Sequence, residues 1–233
     1  MSCVFRLALG TQRNQRKTHD ETRNMETLTR EATLRWLRHY AELISINKMR
    51  LTELDSEIGD GDHGANMQRG MQAVLTRLAG VADKDIGSVF KMIGTTLVAT
   101  VGGAGGPLFG TLFVQMGNAT LGKRELTLPD WAAALQAGVE GVMLRGKAQP
   151  GEKTMIDALM PALTSLQRNA ADGESLTVAL PQSVQAAALG TEATATMIAS
   201  KGRASYLGER SLGHVDPGAT SAFLLLKAML AIL

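Results

Sequence analysis

Three aspartates, one histidine and four glycines lie within the sixteen residues DSEIGDGDHGANMQRG at positions 55–70. The carboxylates of Asp55, Asp60 and Asp62 repel one another at short range, so a folded chain rarely gathers such groups without a cation. Oxygen-only ligands are typical of Mg²⁺, which also shares the phosphate oxygens of a substrate. The stretch therefore predicts a magnesium site in a loop. The alternative is an Asx-rich turn that caps the following helix through Asp62 or His63.

A second glycine-rich stretch, VGGAGGPLFG, covers residues 101–110. It is not a Walker A loop, because no Lys followed by Ser or Thr comes after the glycines. Its main-chain N–H groups could still cradle a phosphate where they lead into the helix after Pro107. Close helix packing beside a flexible turn explains the glycines equally well.

A third segment, RGKAQPGEKTMIDAL at residues 145–159, places Gly151 before a helix that contains Lys153, Thr154 and Asp157. This arrangement suits a helix start that faces an anion. It suits an ordinary capped helix start just as well, so the alternatives stay open here.

The fourth segment, KGRASYLGERSLGHVDPGATS at residues 201–221, is long for a plain solvated loop. Arg203 could lie against a nucleotide, and Asp216-Pro217-Gly218 could form an anion or ribose contact at the start of the last helix. His214 is expected to be a hydrogen-bonded loop histidine rather than a catalytic base.

The elements that must position these segments are helical. In LTREATLRWLRHYAELISIN, apolar residues recur at spacings of three and four, the period of a helix with one buried face. Convincing strand alternation is absent elsewhere, so eight helices joined by short links predict one all-α domain over residues 25–233. Besides this first helix, the predicted helices cover residues 64–80, 84–101, 107–121, 128–144, 152–171, 176–200 and 217–233.

Composition narrows the function further. The formal net charge is +2, of which residues 1–24 contribute +3 (five basic and two acidic side chains), so the remainder carries −1. With 4% aromatic residues and no Arg- or Lys-rich stripe around them, the chain is not expected to bind single-stranded nucleic acid, whose bases stack on aromatic rings. Because no uninterrupted run of about 18 apolar residues exists, we expect no membrane span.

The first 24 residues are predicted to be a flexible basic extension. Their apolar patch is too short for a secretory signal, whereas an organelle presequence or an upstream start before Met25 are both possible interpretations. Cys3, the single cysteine, lies in this segment, so no disulfide can form within the chain. That usage favours the cytoplasm.

Four of these motifs, EIGDGDHGANMQRG, VGGAGGPLFGTLF, GEKTMIDAL and KGRASYLGERSLGHVDPGATS, occur in an order that resembles the nucleotide-binding L subunits of bacterial dihydroxyacetone kinases. The resemblance covers residues 25–233. It implies an eight-helix antiparallel barrel with the nucleotide at one end, held by a pair of Mg²⁺ ions.

The resemblance also implies roles for individual residues. The three aspartates correspond to the metal ligands. The residues expected at the nucleotide and its phosphates are His63, Gly64, Ala65, Asn66, Ala104, Gly105, Gly146, Met155, Arg203, Asp216, Pro217 and Gly218. One position departs from the family. The family commonly has the sequence Gly-Gly-Ala-Ser-Gly, whereas residues 102–106 of this chain are Gly-Gly-Ala-Gly-Gly, so that Gly105 replaces the serine. A hydroxyl contact to phosphate is therefore expected to be missing.

The activity that the resemblance implies is phosphoryl transfer. In the version linked to the sugar phosphotransferase system, the subunit keeps ADP resident, and a phosphoryl-histidine on a partner subunit converts ADP to ATP. The γ-phosphoryl then passes to dihydroxyacetone on a separate K subunit. A homodimer is expected, and a transcriptional regulator is a further candidate partner. The alternatives are a subunit that exchanges ATP, a non-catalytic nucleotide-binding module and, less well supported, a metal-dependent phosphohydrolase.

Overall fold

A computed structural model describes residues 26–233 and is almost entirely helical. Two three-residue strands, β1 (Thr27–Thr29) and β2 (Glu125–Thr127), pair antiparallel. The prediction of an all-α fold is confirmed, although the described residues form nine α-helices rather than eight. These are α1 (Arg30–Ile46), α2 (Lys48–Ile58), α3 (His63–Leu78), α4 (Ile86–Thr100), α5 (Gly105–Ala119), α6 (Leu128–Gly146), α7 (Ile156–Ala171), α8 (Leu176–Ala193) and α9 (Pro217–Lys227).

The helix missing from the prediction is α2. Helix α1 ends at Asn47, whose main-chain and side-chain N–H groups both donate to the carbonyl of Leu43. The chain then restarts as α2, in which Leu51, Leu54 and Ile58 are the buried residues. Three apolar positions over eleven residues give a periodic signal too short to distinguish a second helix from the tail of the first.

The two strands were also absent from the prediction. Each contains one buried leucine, and Leu28 pairs with Leu126 across the ladder. Three residues are too few for alternation to be visible in a sequence. The strands lead directly into α1 and α6, whose first turns are capped by Thr29 and Thr127.

Three predicted helix boundaries are wrong by several residues. Helix α7 begins at Ile156 rather than at 152, because Lys153 has a left-handed backbone with φ +61°. Helix α8 ends at Ala193 rather than at 200, where a short 3-10 turn leads into extended chain at Met197. The last α-helix ends at Lys227, and the following residues wind as a 3-10 helix.

Helices α4 and α5 form a hairpin whose backbones touch. A Cβ built on Gly94 would lie 2.6 Å from the carbonyl oxygen of Gly110, and one on Gly87 would lie 2.6 Å from that of Gly117. Real Cβ atoms do not approach oxygen so closely, so these positions require glycine. The glycine loop of residues 101–104 is the tip of this hairpin and is held in place by it.

The core contains one cluster of aromatic rings. Trp36 of α1 packs edge-on against Phe90 and Trp131, with ring centroids 5.9 and 5.3 Å apart. Its indole N–H donates to the carbonyl of Leu225 at 2.8 Å, which ties α1 to the last helix. Helix α9 also contacts α2, α7 and α8, so the last helix closes the bundle.

The positions at which the helices begin and end define two ends of the bundle. The strand pair lies at the end where α1 and α6 begin. At the other end α2, α4 and α6 finish while α3 and α5 begin. Among the described residues, no helix is both long and apolar enough to cross a membrane. The predicted extension at residues 1–24, with Cys3, lies outside the described residues.

Candidate functional site

A cleft of about 740 Å³ opens at the end of the bundle where α3 and α5 begin. All four sequence motifs contribute to its wall. The predicted residues that line it are Asp55, Asp60, Asp62, His63, Asn66, Ala104, Gly105, Gly146, Met155, Arg203, Asp216, Pro217 and Gly218. The fold therefore brings together residues as far apart in the chain as Asp55 and Gly218.

The three aspartates converge on one point of this cleft. One carboxylate oxygen from each of Asp55, Asp60 and Asp62 lies within 4.8 Å of the others. Asp55 projects from the last turn of α2 and accepts hydrogen bonds from the main-chain N–H groups of Asp62 (2.9 Å) and His63 (3.0 Å). The loop thus folds back on the carboxylate that begins it. Asp62 occupies the N-cap position of α3 without a side-chain capping bond, so the capping alternative does not describe it.

His63 begins α3 and lies between the aspartates and the last helix. Its Nε2 atom is 2.7 Å from the hydroxyl of Ser221, a fully buried residue of α9. Burial lowers the pKa of His63, although the charges of Asp55 and Asp62 act in the opposite direction. The Nδ1 edge faces the glycine loop, since a Cβ on Gly105 would lie 3.9 Å from it.

Asn66 links α3 to the glycine loop. Its side chain is buried, accepts a hydrogen bond from Arg69 at 2.7 Å, and packs against Gly102. The same Arg69 side chain donates to the carbonyl of Thr100, at the end of α4. One arginine therefore fixes both the asparagine and the start of the loop.

The N-terminus of α5 presents free main-chain donors to the cleft. Ala104, in the N-cap position, provides no side-chain hydrogen bond, so the first N–H groups of the helix stay available. Free N–H groups and the helix dipole together favour a phosphate. The backbone of Gly106 lies so close to Val101 that a Cβ would be 2.3 Å from its carbonyl oxygen, whereas a Cβ at Gly105 would meet nothing nearer than 3.5 Å.

The loop between α6 and α7 is held by two buried charged residues. Asp157 accepts hydrogen bonds from the N–H groups of Gly151 (2.5 Å) and Thr154 (2.8 Å). The ammonium group of Lys153 donates to the main-chain carbonyls of Thr194 and Met197, beyond α8. Met155, between them, lines the cleft.

Two side-chain contacts join the end of α2 and the aspartate-rich loop after it to the segment before α9. Arg203 lies 2.9 Å from Asp60, and His214 Nδ1 lies 3.0 Å from Glu57. The Arg203 side chain is 65% exposed, so this pair contributes little to stability. Its position matters more, because the guanidinium group sits at the carboxylate cluster.

Asp216 caps the last helix and has an unusual acidity. Its Oδ2 atom accepts the N–H of Ala219 at 2.6 Å, and its own N–H donates to Thr194 at 3.0 Å. Burial raises the pKa of Asp216 to about 7, against the opposing effects of the Ala219 hydrogen bond and the charge of Lys153.

Two predicted residues do not line the cleft. Gly64 faces α2, and a Cβ there would lie 2.1 Å from the carbonyl oxygen of Lys48. This glycine lets α3 and α2 approach each other, which sets the geometry of the metal loop between them. Ala65 is exposed on α3 and is absent from the cleft wall.

The sequence alone did not single out several residues that line the cleft. Lys153 is 1% exposed, and Tyr206, at the cleft edge, is 87% exposed. Lys201 also lines the cleft and pairs with Glu152 at 3.4 Å. The sequence names Lys153 only as part of a capped or anion-facing helix start, and Lys201 and Tyr206 carry no periodic or spacing signal in a polar loop.

The residues present fit Mg²⁺ and a nucleotide. The cleft gathers three carboxylates that offer oxygen ligands, and Arg203 is the cation that pairs with Asp60 among the described residues. Beside them lies the uncapped N-terminus of α5. Its first residue, Gly105, has no atom nearer than 3.5 Å to a Cβ built on it, so a ligand has room there. Hard oxygen ligands next to free N–H donors suit a divalent cation bound together with phosphate.

Comparisons with known proteins agree with this geometry. The DAK2 domain family matches residues 57–231. The ADP-binding subunit of the PEP-dependent dihydroxyacetone kinase of Escherichia coli is 46% identical over 206 residues, covering 88% of this chain and 98% of that protein. The corresponding subunit of the PTS-dependent kinase of Lactococcus lactis is 41% identical, covering 88% and 98%. Human triokinase/FMN cyclase is 36% identical over 184 residues, which cover 78% of this chain and 32% of that protein.

Solved structures resemble the chain as well. The crystal structure of the dihydroxyacetone kinase of C. freundii in its native form superposes with a TM-score of 0.67 at 24% identity, covering 99% of this chain and 38% of that one. At that identity the likeness supports the fold. The complex of the same kinase with AMP-PNP and Mg²⁺ gives 0.63 at 26% identity and covers 86% and 33%. The chain thus spans little more than a third of the solved kinase, whereas it spans nearly the full length of the bacterial subunits, and it belongs to the DAK2 domain family.

Proposed function

We propose that this chain is the nucleotide-binding subunit of a dihydroxyacetone kinase. It holds ADP or ATP with two Mg²⁺ ions in the cleft and passes the γ-phosphoryl to dihydroxyacetone on a partner K subunit. A phosphoryl-histidine protein of the phosphotransferase system recharges the ADP in place. Phosphoryl transfer requires alignment and charge neutralisation more than covalent chemistry from the protein, and the bound cations would supply part of that neutralisation.

The observation that carries this proposal is the convergence of Asp55, Asp60 and Asp62 beside the uncapped N-terminus of α5. Their oxygens lie within 4.8 Å of one another, and Asp55 is locked by two main-chain N–H groups. The chain therefore provides metal ligands, phosphate donors and the cation of Arg203 within one cleft. In the complex of the C. freundii kinase, AMP-PNP and Mg²⁺ are bound, which supports the assignment by similarity.

The relatives support the choice of partners. The bacterial proteins that match along 98% of their length are described as ADP-binding subunits of PEP- or PTS-dependent kinases. In the reaction we propose, a separate protein binds dihydroxyacetone and another donates the phosphoryl group. Assembly as a homodimer and docking on a transcriptional regulator stay predictions.

The mode of nucleotide use can be tested on protein purified without added nucleotide. After extensive dialysis the protein is denatured, and the released nucleotide is counted by anion-exchange chromatography. We expect about one ADP per chain, as a resident cofactor requires. An empty site that fills reversibly with ATP would instead support a subunit that exchanges ATP.

Transfer itself separates the kinase from a non-catalytic binding module. The ADP-loaded chain is mixed with a K subunit carrying dihydroxyacetone and with a phosphorylated histidine donor, and dihydroxyacetone phosphate is measured. We expect product that requires all three proteins. A chain that binds ADP but yields no product with an active K subunit and donor would be a binding module.

A further inference from the structure

Lys153 is a buried cation in an unusual backbone conformation. It lies in the loop between α6 and α7 with φ +61°, a left-handed conformation that non-glycine residues rarely adopt. Its exposed fraction is 1%. An ammonium group taken from water loses its hydration, and this burial lowers the pKa of Lys153. Such a position needs compensating contacts.

Main-chain carbonyls provide those contacts. The ammonium group donates to the carbonyls of Thr194 at 2.6 Å and Met197 at 3.3 Å, and to that of His214. The three donors of a lysine are therefore all used on the backbone of other segments. A guanidinium group, with its planar fork, could not direct three N–H bonds from a single nitrogen in this way.

Each of these carbonyls belongs to a chain segment that lies close to a cleft residue. Thr194 follows directly after α8, and its hydroxyl accepts a hydrogen bond from the N–H of Asp216 at 3.0 Å. Met197 begins the extended stretch toward Arg203. His214 stands two positions before Asp216, and Lys153 itself stands two before Met155.

We propose that Lys153 is a positioning residue of the nucleotide site, whose ammonium group joins three separate backbone segments so that Met155, Arg203 and Asp216–Gly218 face the same nucleotide. The inference rests on the proposed function. Close contact of the joined segments supports it, since a Cβ on Gly218 would lie 3.8 Å from the main-chain nitrogen of Met155. Asp55, the predicted metal ligand in the last turn of α2, is held by the N–H groups of Asp62 and His63 rather than by this lysine.

The test replaces Lys153 by methionine, which keeps the length of the side chain and removes its donors and charge. Binding of ADP with Mg²⁺ is measured by calorimetry at low temperature, after circular dichroism has confirmed the helix content. We expect an affinity at least about tenfold weaker than that of the unmutated protein. Binding of Mn²⁺ alone, followed by electron paramagnetic resonance, should stay within about twofold, because the carboxylate cluster is untouched.

A matched control is Lys227→Met on the last helix, whose ammonium group lies over the ring of Phe223 away from the cleft. It should bind ADP as the unmutated protein does. A spectroscopic readout separates positioning from general stability: in the Lys153 variant the carboxyl pKa of Asp216 should rise, because the charge that lowers it is gone.

Three results would overturn the inference. The first is an unchanged ADP affinity in a folded Lys153→Met protein. The second is a loss of Mn²⁺ binding together with ADP binding. The third is an unchanged carboxyl pKa of Asp216, followed by nuclear magnetic resonance. If the unmutated protein itself fails to bind ADP with Mg²⁺, the proposed function fails instead, so the two failures are distinguishable.

If the variant does not fold, hydrogen exchange on the unmutated protein tests whether the three segments are joined. The amides of residues 151–155, 195–200 and 212–216 should exchange as one cooperative unit. Independent exchange of the three segments would contradict a shared anchor.

Discussion

At the scale of single residues, the cleft is shaped by side chains that fix the backbone. Asp55 holds the N–H groups of Asp62 and His63, Asp157 holds two N–H groups of the α6–α7 loop, and Lys153 holds three carbonyls. Charged groups with satisfied hydrogen bonds in this setting stabilise one backbone conformation. The main-chain N–H groups that we propose face the phosphates are then in fixed positions.

Gly105 gives the first prediction at this scale. A serine there would fit, since its Cβ would meet Val101 at 3.5 Å and His63 at 3.9 Å. Its hydroxyl would add a donor at the first turn of α5, so Gly105→Ser should bind ADP with Mg²⁺ about three- to tenfold more tightly in calorimetry, as one hydrogen bond to a charged acceptor allows. Gly105→Ala is the matched control. Equal affinities of the serine and alanine variants would show that the hydroxyl does not reach the phosphates.

Asp216 gives a prediction about pH. The folded-state pKa of about 7 lies above the ordinary value of 3.8, so the neutral carboxyl stabilises the fold. This contribution is complete below pH 3.8 and is lost as the pH rises to about 7. Asp216→Asn keeps an oxygen for the Ala219 N–H and removes the titration.

In the absence of metal and nucleotide, the asparagine variant should therefore gain stability relative to the unmutated protein as the pH rises from 4 to 8. Because the surface of Asp216 is only half-buried, we discount the full pKa shift and expect a change of about 1–2 kcal/mol in the difference between their free energies of unfolding. Chemical denaturation across this pH range measures it. A difference that stays constant with pH would contradict the raised pKa.

The sequence predicted the residues whose chemistry is visible in one short window. Asp55, Asp60 and Asp62 were assigned from their spacing, and the structure brings them together. The same window names Lys153 only as part of a helix start, because the carbonyls that it contacts lie 41 to 61 residues further along the chain. Ser221 was missed for the same reason, as its partner His63 is 158 residues away.

At the scale of elements, the glycines of the α4–α5 hairpin position the glycine loop of residues 101–104. Gly94 and Gly110 let the two backbones touch, so the loop between the helices has little freedom. Repeated glycines in VGGAGGPLFG suggested either a phosphate cradle or close helix packing. The structure shows that Gly106 and Gly110 serve packing, while Gly105 faces the cleft.

Substitution of Gly110 by alanine tests this packing. The new Cβ would lie 2.3 Å from Val98 and 2.8 Å from the Gly94 carbonyl oxygen, so the helices must move apart. We expect a loss of about 2 kcal/mol in the free energy of unfolding, despite the better helix propensity of alanine. Thermal or denaturant unfolding measures it.

The control is Gly80→Ala, where a Cβ would meet nothing within 4 Å. It should change stability by less than about 0.5 kcal/mol. If both variants had the same stability, the hairpin contact would not constrain the backbone.

Helix periodicity predicted the long elements and failed at the short ones. Helix α2 and the strand pair have too few residues to establish a period, yet α2 carries Asp55 and the strands begin α1 and α6. Helix α7 starts four residues after the predicted position because the backbone of Lys153 adopts the left-handed conformation. Tertiary contacts impose this conformation, which a non-glycine residue seldom adopts by itself.

At the scale of the whole molecule, the candidate functional residues lie together at one end of the helical bundle. The starts of α3, α5 and α9 meet there with the end of α2, so several helix dipoles and three carboxylates share one cleft. The aromatic cluster around Trp36 lies toward the opposite end, because Trp36 and Trp131 stand near the starts of α1 and α6, beside the strand pair. That arrangement follows from the order of the helices and could not be read from any single motif.

The most direct test of the account is binding of ADP in the presence of Mg²⁺ by the unmutated protein and by Asp60→Ala, with Asp83→Ala as an exposed control outside the cleft. Calorimetry is repeated with EDTA, and circular dichroism verifies that the helix content is unchanged. The account predicts Mg²⁺-dependent binding in the unmutated protein and the control, and its loss in Asp60→Ala. If Asp60→Ala bound ADP as tightly as the unmutated protein, and EDTA changed neither, the assignment of the aspartates as metal ligands would be wrong.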